Sequence, residues 1–388
     1  VTELLASIPT EFLKFTLISP SLALFSATKS SLFFVPSLRA YIPTDLFILT
    51  SISLLLVIIL SLFTFISCRP SESKKEDSNL PIVIKIGSTD SSSRSTNVWS
   101  VELGKILEEK APGKFQVEVY PDGQLGDTPD LVAGVKLGTV TMMFDLSAAI
   151  TAAAGPESAC IDLPYLYPTY DDWVKGTFEN GGLELFNEYL KKQGYYCIDM
   201  YYNGMRQVAS VKRNYHNSDD LKGQKIRIAQ NELNVDMWQA MGANPTPMSW
   251  GEVITSLSQG TIDALDHSLG VFNDFSLHKI APYITLTNHA SSPFPIVCSL
   301  DWINSLPEDL RQILEESVHE VAKKQREEER ANELKYIERF KSEGATVEEL
   351  TPDEVKAFQE KVKPVYDKWR KKVGDEVVDK WLETVPKN

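Results

Sequence analysis

Hydrophobic and polar positions form several distinct patterns along this chain. Residues 46–67 contain no charged side chain over 22 positions, a run long enough to cross a bilayer. From residue 81 onward, short apolar runs alternate with segments in which apolar residues recur at helical spacing. The short runs predict strands over residues 81–87, 115–120, 139–144, 195–202, 206–212, 225–229, 261–265, 282–287 and 294–300. The helical spacing predicts a helix over residues 99–110, and capping residues followed by a terminal glycine predict helices over residues 128–137, 231–242 and 249–259. Strands and helices alternate, which indicates an α/β fold.

Capping signals mark the starts of several helices. Thr128 precedes a proline and an acidic residue, Asn231 precedes an apolar helical pattern, and Ser249 and Ser305 each precede a glutamate by three positions. Such side chains accept hydrogen bonds from the first free N–H groups of a helix. Thr351 opens the last helical region.

The longest predicted helix covers residues 306–343. Apolar residues recur at helical spacing from 310 to 321 and again from 331 to 340, whereas residues 323–330 have no apolar face. A continuous helix of this length would span roughly 57 Å at about 1.5 Å per residue. A helix that is amphipathic at both ends and polar all round in its middle favours a bridge between two lobes. Two helices with an exposed joint are the alternative.

The chain is acidic, with a net charge of −14 over 388 residues. Binding to nucleic acid phosphates needs a basic surface, so the composition argues against a nucleic-acid partner. An acidic protein that binds anions must concentrate positive charge locally. Any arginine predicted to lie in a cleft is therefore informative.

The apolar run of residues 46–67 ends in Phe-Ile-Ser and is followed at once by Cys68. This ending resembles a bacterial lipoprotein signal, in which the cysteine becomes the lipid-modified N-terminus. We expect residues 1–67 to be a leader and residues 68–81 a polar, lipid-anchored linker. An uncleaved transmembrane anchor and a plain cleaved signal are the alternatives. Either anchored form leaves residues 80–388 outside the cytoplasmic membrane.

Three further cysteines, Cys160, Cys197 and Cys298, lie in apolar surroundings. Their spacing fits no zinc motif, and an odd number cannot all pair within one chain. We expect buried free thiols, no metal site and no cofactor.

Several segments occur together in an order that is typical of one protein family. They are Tyr120–Gly126 with Val135–Met142, then Asp162–Tyr167, Asn203–Arg206, Leu221–Arg227, Met241–Asp263 and Ile284–His289. In this order they resemble the substrate-binding subunits of tripartite ATP-independent periplasmic (TRAP) transporters of the DctP type. The resemblance covers about residues 82–370.

The resemblance implies a periplasmic-binding-protein-like α/β fold with two lobes around a cleft and a long helix that bridges both. The first lobe would comprise residues 82–203 plus 293–332, and the second residues 204–292 plus 333–388. The implied function is to capture a small organic carboxylate outside the cytoplasmic membrane, to close around it and to deliver it to TRAP membrane subunits. We expect a monomer.

Arg227 is the main candidate for holding the ligand carboxylate. It ends a short strand ahead of the helix capped by Asn231, and ligands of open α/β sheets bind at such strand ends. A guanidinium is a planar fork of donors that matches the two oxygens of a carboxylate. The family's carboxylate-binding arginine matches this position. The alternative is an exposed arginine in a salt bridge.

Other candidates carry two interpretations each. Arg206 matches a second family arginine, and it either contacts the ligand or forms a salt bridge where the lobes meet, next to the turn signal at Asn203-Gly204. Trp250 either lies near the ligand or packs in the core. Asp266 and His267 stand where many relatives have Glu and Asn, which leaves the polar end of the ligand open. His267 either donates to the ligand or is a satisfied buried histidine.

Thr89 and Asp145 end predicted strands of the first lobe and are candidates for its side of the cleft. Two other function classes remain open. One is a surface lipoprotein of the same fold that senses a ligand or binds an apolar one. The other is a cofactor-free enzyme, although no nucleophile elbow, zinc-protease motif or phosphate loop occurs in the sequence.

Overall fold

A computed structural model describes residues 80–387, and ten strands within that range form a mixed sheet. The strands are β1 (Ile82–Gly87), β2 (Phe115–Tyr120), β3 (Met142–Phe144), β4 (Tyr195–Ser210), β5 (Lys225–Ile228), β6 (Asn244–Pro247), β7 (Ala264–Ser268), β8 (Tyr283–Leu286), β9 (Ser291–Ser299) and β10 (Thr346–Glu349). Their order is β2-β1-β3-β9-β4-β7-β5-β6, and β8 pairs with both β4 and β10.

Helices cover both faces of this sheet. They are α1 (Ser95–Lys110), α2 (Thr128–Leu137), α3 (Ser147–Ala154), α4 (Pro156–Ala159), α5 (Tyr170–Val174), α6 (Gly182–Lys192), α7 (Ser218–Leu221), α8 (Glu232–Met241), α9 (Val253–Ser258), α10 (Leu269–Asp274), α11 (Leu300–Ser305), α12 (Glu308–Ser342), α13 (Pro352–Val373) and α14 (Asp375–Glu383). Single 3₁₀ turns lie at Cys160–Asp162, Trp250–Glu252 and Leu277–Lys279, and a π turn lies at Lys175–Glu179.

Strand β4 joins the two halves of the sheet. Its first part pairs antiparallel with β9, and its last five residues, Arg206–Ser210, pair with β7. The prediction of two strands separated by a turn at Asn203-Gly204 is wrong, because one strand runs through. The register is irregular between Tyr202 and Met205, and Gly204 adopts a φ of 105°. A Cβ on Gly204 would lie 2.9 Å from the Cβ of Ser268, so glycine allows the two strands to approach.

The predicted long helix is confirmed as α12, a single helix of 35 residues. Its N-terminal half packs through residues such as Leu314 and Val318 into an apolar cluster with α1 and β1. Its C-terminal half packs through Phe340 into a second cluster with β7 and β8. The helix therefore contacts both halves of the sheet.

The polar middle of α12 buries one face, with Gln325, Arg326 and Glu329, and exposes the other. Gln325 has no exposed surface, and its amide exchanges hydrogen bonds with both the backbone N–H (2.8 Å) and the carbonyl (2.9 Å) of Tyr202. Arg326 donates to the Met200 carbonyl at 2.7 Å, and Glu333 accepts from the Tyr202 hydroxyl at 2.9 Å. Polar side chains from the middle of α12 thus supply hydrogen-bond partners to the backbone of β4, where this strand passes between the two halves of the sheet.

A third apolar cluster lies on the face that carries α13 and α14. It includes Trp369 and Trp381, both almost completely buried. The indole of Trp381 donates to the Glu157 carbonyl at 3.0 Å, and the hydroxyls of Tyr167 and Thr384 lie 2.5 Å apart. The C-terminal helix α14, which falls within the predicted second lobe, therefore contacts residues of the predicted first lobe.

Two of the predicted helix caps are confirmed. Asn231 Oδ1 accepts from the N–H of Leu233 at 2.8 Å, and Thr351 forms a reciprocal capping box with Glu354.

Three predicted caps are wrong. Helix α2 begins after Asp127, whose N–H donates to Asp130 at 3.1 Å, and the Thr128 hydroxyl bonds elsewhere. Ser249 precedes a 3₁₀ turn and accepts no capping bond. Ser305 ends α11 instead of opening a helix, because its hydroxyl donates back to the Trp302 carbonyl at 2.7 Å.

The predicted leader of residues 1–67, its apolar segment 46–67 and Cys68 lie outside the described residues, as does most of the predicted linker. Between residues 80 and 387, no helix combines the length and the apolar character needed to cross a bilayer. Cys160, Cys197 and Cys298 are buried and free, as predicted.

Candidate functional site

A pocket opens near the crossing strand β4, where both halves of the sheet contribute residues. Its wall comes from the start of α3, the turn at Cys160–Asp162, strand β4, the end of β5, helix α8 and the start of β9. The lining residues are Leu146, Ser147, Ala148, Asp162, Arg206, Ala229, Asn234, Ala290, Ser291 and Ser292.

Arg206 lies in this wall and is committed to protein partners. Its Nε donates to Asp266 Oδ2 at 2.8 Å, and its Nη2 donates to the backbone carbonyl of Asp266 at 2.9 Å. Asp266 Oδ2 also lies 3.1 Å from Nε2 of His289. Burial opposes the charged form of Asp266, but Arg206 and His289 outweigh it and hold the pKa of this carboxyl well below its usual range. Arg206 and Asp266 therefore form a charged, buried pair.

Arg227 is buried but has no carboxylate partner among the described residues. It is 3% exposed, which rules out the alternative of an exposed, salt-bridged arginine. Its Nε and Nη2 donate to the Met248 carbonyl at 3.1 and 2.8 Å, while Nη1 is buried and forms no hydrogen bond within residues 80–387. Burial lowers the pKa of Arg227 to about 10, with Asp266 raising it and Arg206 lowering it. The site thus contains a desolvated cation with an open donor.

Trp250 and His267 pack beside this cation. The Arg227 guanidinium lies 5.4 Å from the ring centroid of Trp250, and the Trp250 and His267 rings meet edge to face at 5.2 Å. The Nδ1 of His267 accepts from the Ser268 N–H at 2.9 Å, so the proton of the neutral ring sits on Nε2. Burial, together with Arg206 and Arg227, lowers the pKa of His267 well below its ordinary value. His267 is therefore a neutral donor next to Arg227.

Asp162 is a carboxyl in the pocket wall that sequence reasoning did not select. It is 8% exposed, and its Oδ1 accepts from the Ser147 hydroxyl at 2.6 Å. Its Oδ2 is buried without a hydrogen-bond partner in the described part of the chain. Burial raises the pKa of Asp162 to about 6, against the opposing effects of Ser147 and Arg206. A lone acid inside the apolar run Cys-Ile-Asp-Leu was the sequence signal for it.

Thr89 and Asp145 meet each other and are not themselves among the lining residues of the pocket. Asp145 Oδ2 accepts from the hydroxyls of Thr89 at 2.9 Å and Thr128 at 2.5 Å, and Oδ1 accepts from the Leu146 N–H at 2.7 Å. Burial raises the pKa of Asp145 despite these bonds. Through these bonds the Asp145 carboxyl connects the loop after β1, the start of α2 and the segment that leads into the pocket residues Leu146 and Ser147.

The structure thus brings five of the seven predicted site residues into one cluster: Arg206, Arg227, Trp250, Asp266 and His267. Of these only Arg206 lines the pocket itself. Sequence reasoning missed the neutral polar lining, whose serines and asparagine carry no distinctive local pattern. Within residues 80–387, no group of three or more His, Cys, Asp or Glu side chains is arranged to hold a metal ion.

The model of one protein family matches residues 88–372 of this chain, and its description is bacterial extracellular solute-binding protein, family 7, or DctP. The chain belongs to this family. Together with the fold it establishes a solute-binding protein of the TRAP type, as the order of its sequence segments predicted.

Curated relatives of this solute-binding protein include binding proteins for different acids. It is 27% identical over 303 residues to the 2,3-diketo-L-gulonate-binding periplasmic protein of Escherichia coli, covering 78% of this chain and 88% of the relative. It is 25% identical over 306 residues to the C4-dicarboxylate-binding periplasmic protein of Rhodobacter capsulatus, covering 77% and 89%.

Solved structures of the same class share the fold of this solute-binding protein. A TRAP periplasmic solute-binding protein of Haemophilus influenzae with bound L-gulonate has a TM-score of 0.73 and 26% identity, covering 78% of this chain and 99% of that chain. The sugar acid binding protein of Advenella mimigardefordensis in complex with galactonate has a TM-score of 0.74 and 24% identity, covering 79% and 98%. The predicted two-lobed α/β class is confirmed.

Proposed function

We propose that this solute-binding protein holds the carboxylate of a small organic acid on Arg227. The observation that carries the proposal is the buried Nη1 of Arg227, which has no partner among the described residues. A buried cation without a counter-ion is costly, and a ligand carboxylate would supply both the charge and the missing acceptor. Arg206 is the weaker candidate, because Asp266 already neutralises it.

Trp250 and His267 would complete the carboxylate site. The Trp250 ring covers one side of the Arg227 guanidinium, which keeps water away and strengthens a charge-assisted bond. The free Nε2–H of neutral His267 can donate to the second oxygen of the ligand carboxylate. In this proposal Thr89 and Asp145 act indirectly, by holding the loop that carries Leu146 and Ser147.

We further propose that the lobes comprise residues 82–203 plus 293–332 and residues 204–292 plus 333–388, and that they close around the ligand by a hinge movement. The pocket is lined from both ranges, by Asp162 and Ser147 on one side and Asn234 on the other. A ligand that contacts both lobes favours the closed state. We place the hinge at Gly204, where β4 passes between the halves of the sheet with an irregular register.

The protein would act in transport and not in catalysis, since the relatives named above are binding proteins. We propose that it works as a monomer outside the cytoplasmic membrane, anchored by a lipid on Cys68, and delivers its ligand to TRAP membrane subunits. Recovery of the bound acid unchanged after prolonged incubation is expected. Its conversion to a product would favour the enzyme alternative.

Ligand-induced thermal stabilisation tests the carboxylate site. Ligand at about 100 times its dissociation constant should stabilise the folded state by about 2.7 kcal/mol. We expect an acid to raise the melting temperature of the wild type but not of Arg227→Ala, and to raise that of Arg227→Lys only weakly, since lysine lacks the planar fork. Arg213→Ala, a change at a half-exposed arginine, is the matched control. An unchanged response in Arg227→Ala would contradict the proposal.

Metabolic labelling with a radioactive fatty acid tests the anchor separately. Label on the wild type that disappears in Cys68→Ala supports lipidation. An unlabelled protein that still sediments with membranes would point to the transmembrane-anchor alternative.

A further inference from the structure

We propose that Asp162 determines which acids this protein accepts, by accepting a hydrogen bond from a hydroxyl of the ligand and by excluding a second carboxylate. The inference rests on the proposed role of Arg227, because it concerns the remainder of the same ligand. It assigns a hydroxylated monocarboxylic acid, such as a sugar acid, as the ligand class.

The first observation is an open acceptor in the pocket wall. Asp162 is more than nine-tenths buried, Ser147 satisfies its Oδ1, and Oδ2 has no partner within residues 80–387. Buried carboxylate oxygens are rarely left without a donor, because the missing bond costs stability. A hydroxyl is a neutral donor that a ligand can bring to this oxygen.

The second observation is the neutral character of the surrounding wall. The Asn234 amide and the Ser291 hydroxyl line the pocket and form no side-chain hydrogen bond within the described chain, whereas Ser292 already accepts from Asn203 at 3.1 Å. Amides and hydroxyls both donate and accept, so they suit the remaining hydroxyls of a polyol chain. Among the lining residues, Arg206 alone is cationic.

The third observation is the distribution of charge. Arg206, the cation in the pocket lining, is paired with Asp266, which leaves Arg227, in the same cluster but outside the lining, as the cation for one ligand carboxylate. A second carboxylate in this pocket would meet Asp162, and Arg206, the one cation among the lining residues, is already paired. Two desolvated carboxyl groups at short distance repel unless one takes up a proton. The site therefore selects against dicarboxylates while it accepts hydroxylated monoacids.

Binding of a defined panel of acids to the full-length purified protein tests this assignment. The panel contains L-gulonate, D-galactonate and D-glucuronate as hydroxylated monoacids, succinate as a dicarboxylate and butanoate as an acid without hydroxyls. Dissociation constants are measured by calorimetry for the wild type, Asp162→Asn, Ser147→Ala and Arg227→Ala. Asp301→Asn, at an exposed aspartate on α11, is the matched control.

We expect the wild type to bind at least one hydroxylated monoacid at least ten-fold more tightly than succinate and butanoate. Asp162→Asn should weaken the hydroxylated acid about ten-fold or more, and should reduce its preference over succinate. Ser147→Ala should act in the same direction, because it removes the hydrogen bond that orients the Asp162 carboxyl. Asp301→Asn should match the wild type.

Several outcomes would overturn the assignment. One is a wild type that prefers succinate or butanoate, and another is an Asp162→Asn variant that loses affinity for all acids by the same factor. If Asp162→Asn fails to fold, a Ser147→Ala variant with the selectivity of the wild type would overturn the assignment. These failures differ from a failure of the proposed function, in which Arg227→Ala binds acids as well as the wild type.

Discussion

Arg206 on β4 and Asp266 on β7 form a buried ion pair, with Nε and Oδ2 2.8 Å apart and neither side chain more than 6% exposed. The backbone carbonyl of Asp266 accepts a second bond from the same guanidinium. The pair joins neighbouring strands beside the pocket. By neutralising one of two nearby arginines, it leaves the other available for a ligand.

Removal of one partner of this pair should destabilise the protein. Asp266→Asn leaves Arg206 as an uncompensated buried charge, which typically costs about 3–5 kcal/mol. Urea unfolding monitored by circular dichroism measures the change. Asp219→Asn, which removes an exposed ion pair with Lys222, should leave the free energy of unfolding close to that of the wild type. Equal changes in unfolding free energy for the two substitutions would show that the buried pair contributes no more to stability than the exposed pair.

The middle of α12 should be sensitive to the loss of one amide. Gln325→Leu leaves the N–H and carbonyl of Tyr202 without their partners, and each stranded buried group costs about 1–3 kcal/mol. We expect a loss of about 3 kcal/mol in unfolding free energy. The control is Gln312→Leu on the exposed face of the same helix, where the glutamine amide donates to Glu316 at 2.8 Å. A Gln325→Leu protein as stable as this control would be evidence that the two hydrogen bonds from Gln325 to the backbone of Tyr202 do not stabilise the fold.

Gly270 on α10 should not tolerate a side chain. A Cβ there would lie 2.4 Å from Oε1 of Glu329 and 3.0 Å from Nη1 of Arg94. Arg94 is buried and also contacts Asp274 at 3.2 Å, so its position cannot adjust freely. We expect Gly270→Ala to lower the melting temperature by several degrees, as for a loss of about 1–3 kcal/mol. Gly251→Ala has open space around the new Cβ and should leave the melting temperature unchanged.

The pH dependence of stability should reveal Asp162. Its pKa rises from 3.8 to about 6 on folding, because burial disfavours the charged form, so the folded state holds a proton that the unfolded state releases. The contribution of Asp162 to stability is therefore full below about pH 4 and is lost as the pH rises to about 6. At one pKa unit per about 1.4 kcal/mol, the loss is at most about 3 kcal/mol.

The difference between wild type and Asp162→Asn isolates this group from the other buried acids. We expect Asp162→Asn to be more stable than the wild type at pH 7.5 and to approach it at pH 4, in ligand-free unfolding experiments. A difference that does not vary with pH would mean that Asp162 keeps its ordinary pKa. Stability gained at the cost of ligand selectivity is common at binding sites.

Local patterns in the sequence determined most of the elements. Apolar patterns predicted β1 and β2 to within a residue, turn and capping residues predicted the bounds of α2, and apolar spacing favoured one long helix over two for α12, because each pattern depends on side chains a few positions apart. The order of motif segments indicated the family, and it supplied Arg227 as the candidate for binding a ligand carboxylate. Caps were less predictable: the hydroxyls of Thr128 and Ser305 are used by partners that only the folded chain supplies.

The tertiary structure decided what each site residue does. Arg206 and Arg227 are equivalent in type, and both are buried, but only Arg206 faces an acid 60 positions further along the chain. The open oxygen of Asp162 depends on Ser147 and on the strands that close the pocket, none of which leaves a local pattern. Charge pairing and desolvation arise from contacts between distant segments, so sequence alone identified the candidates, and the fold determined that Arg206 is paired while Arg227 has no acidic partner within residues 80–387.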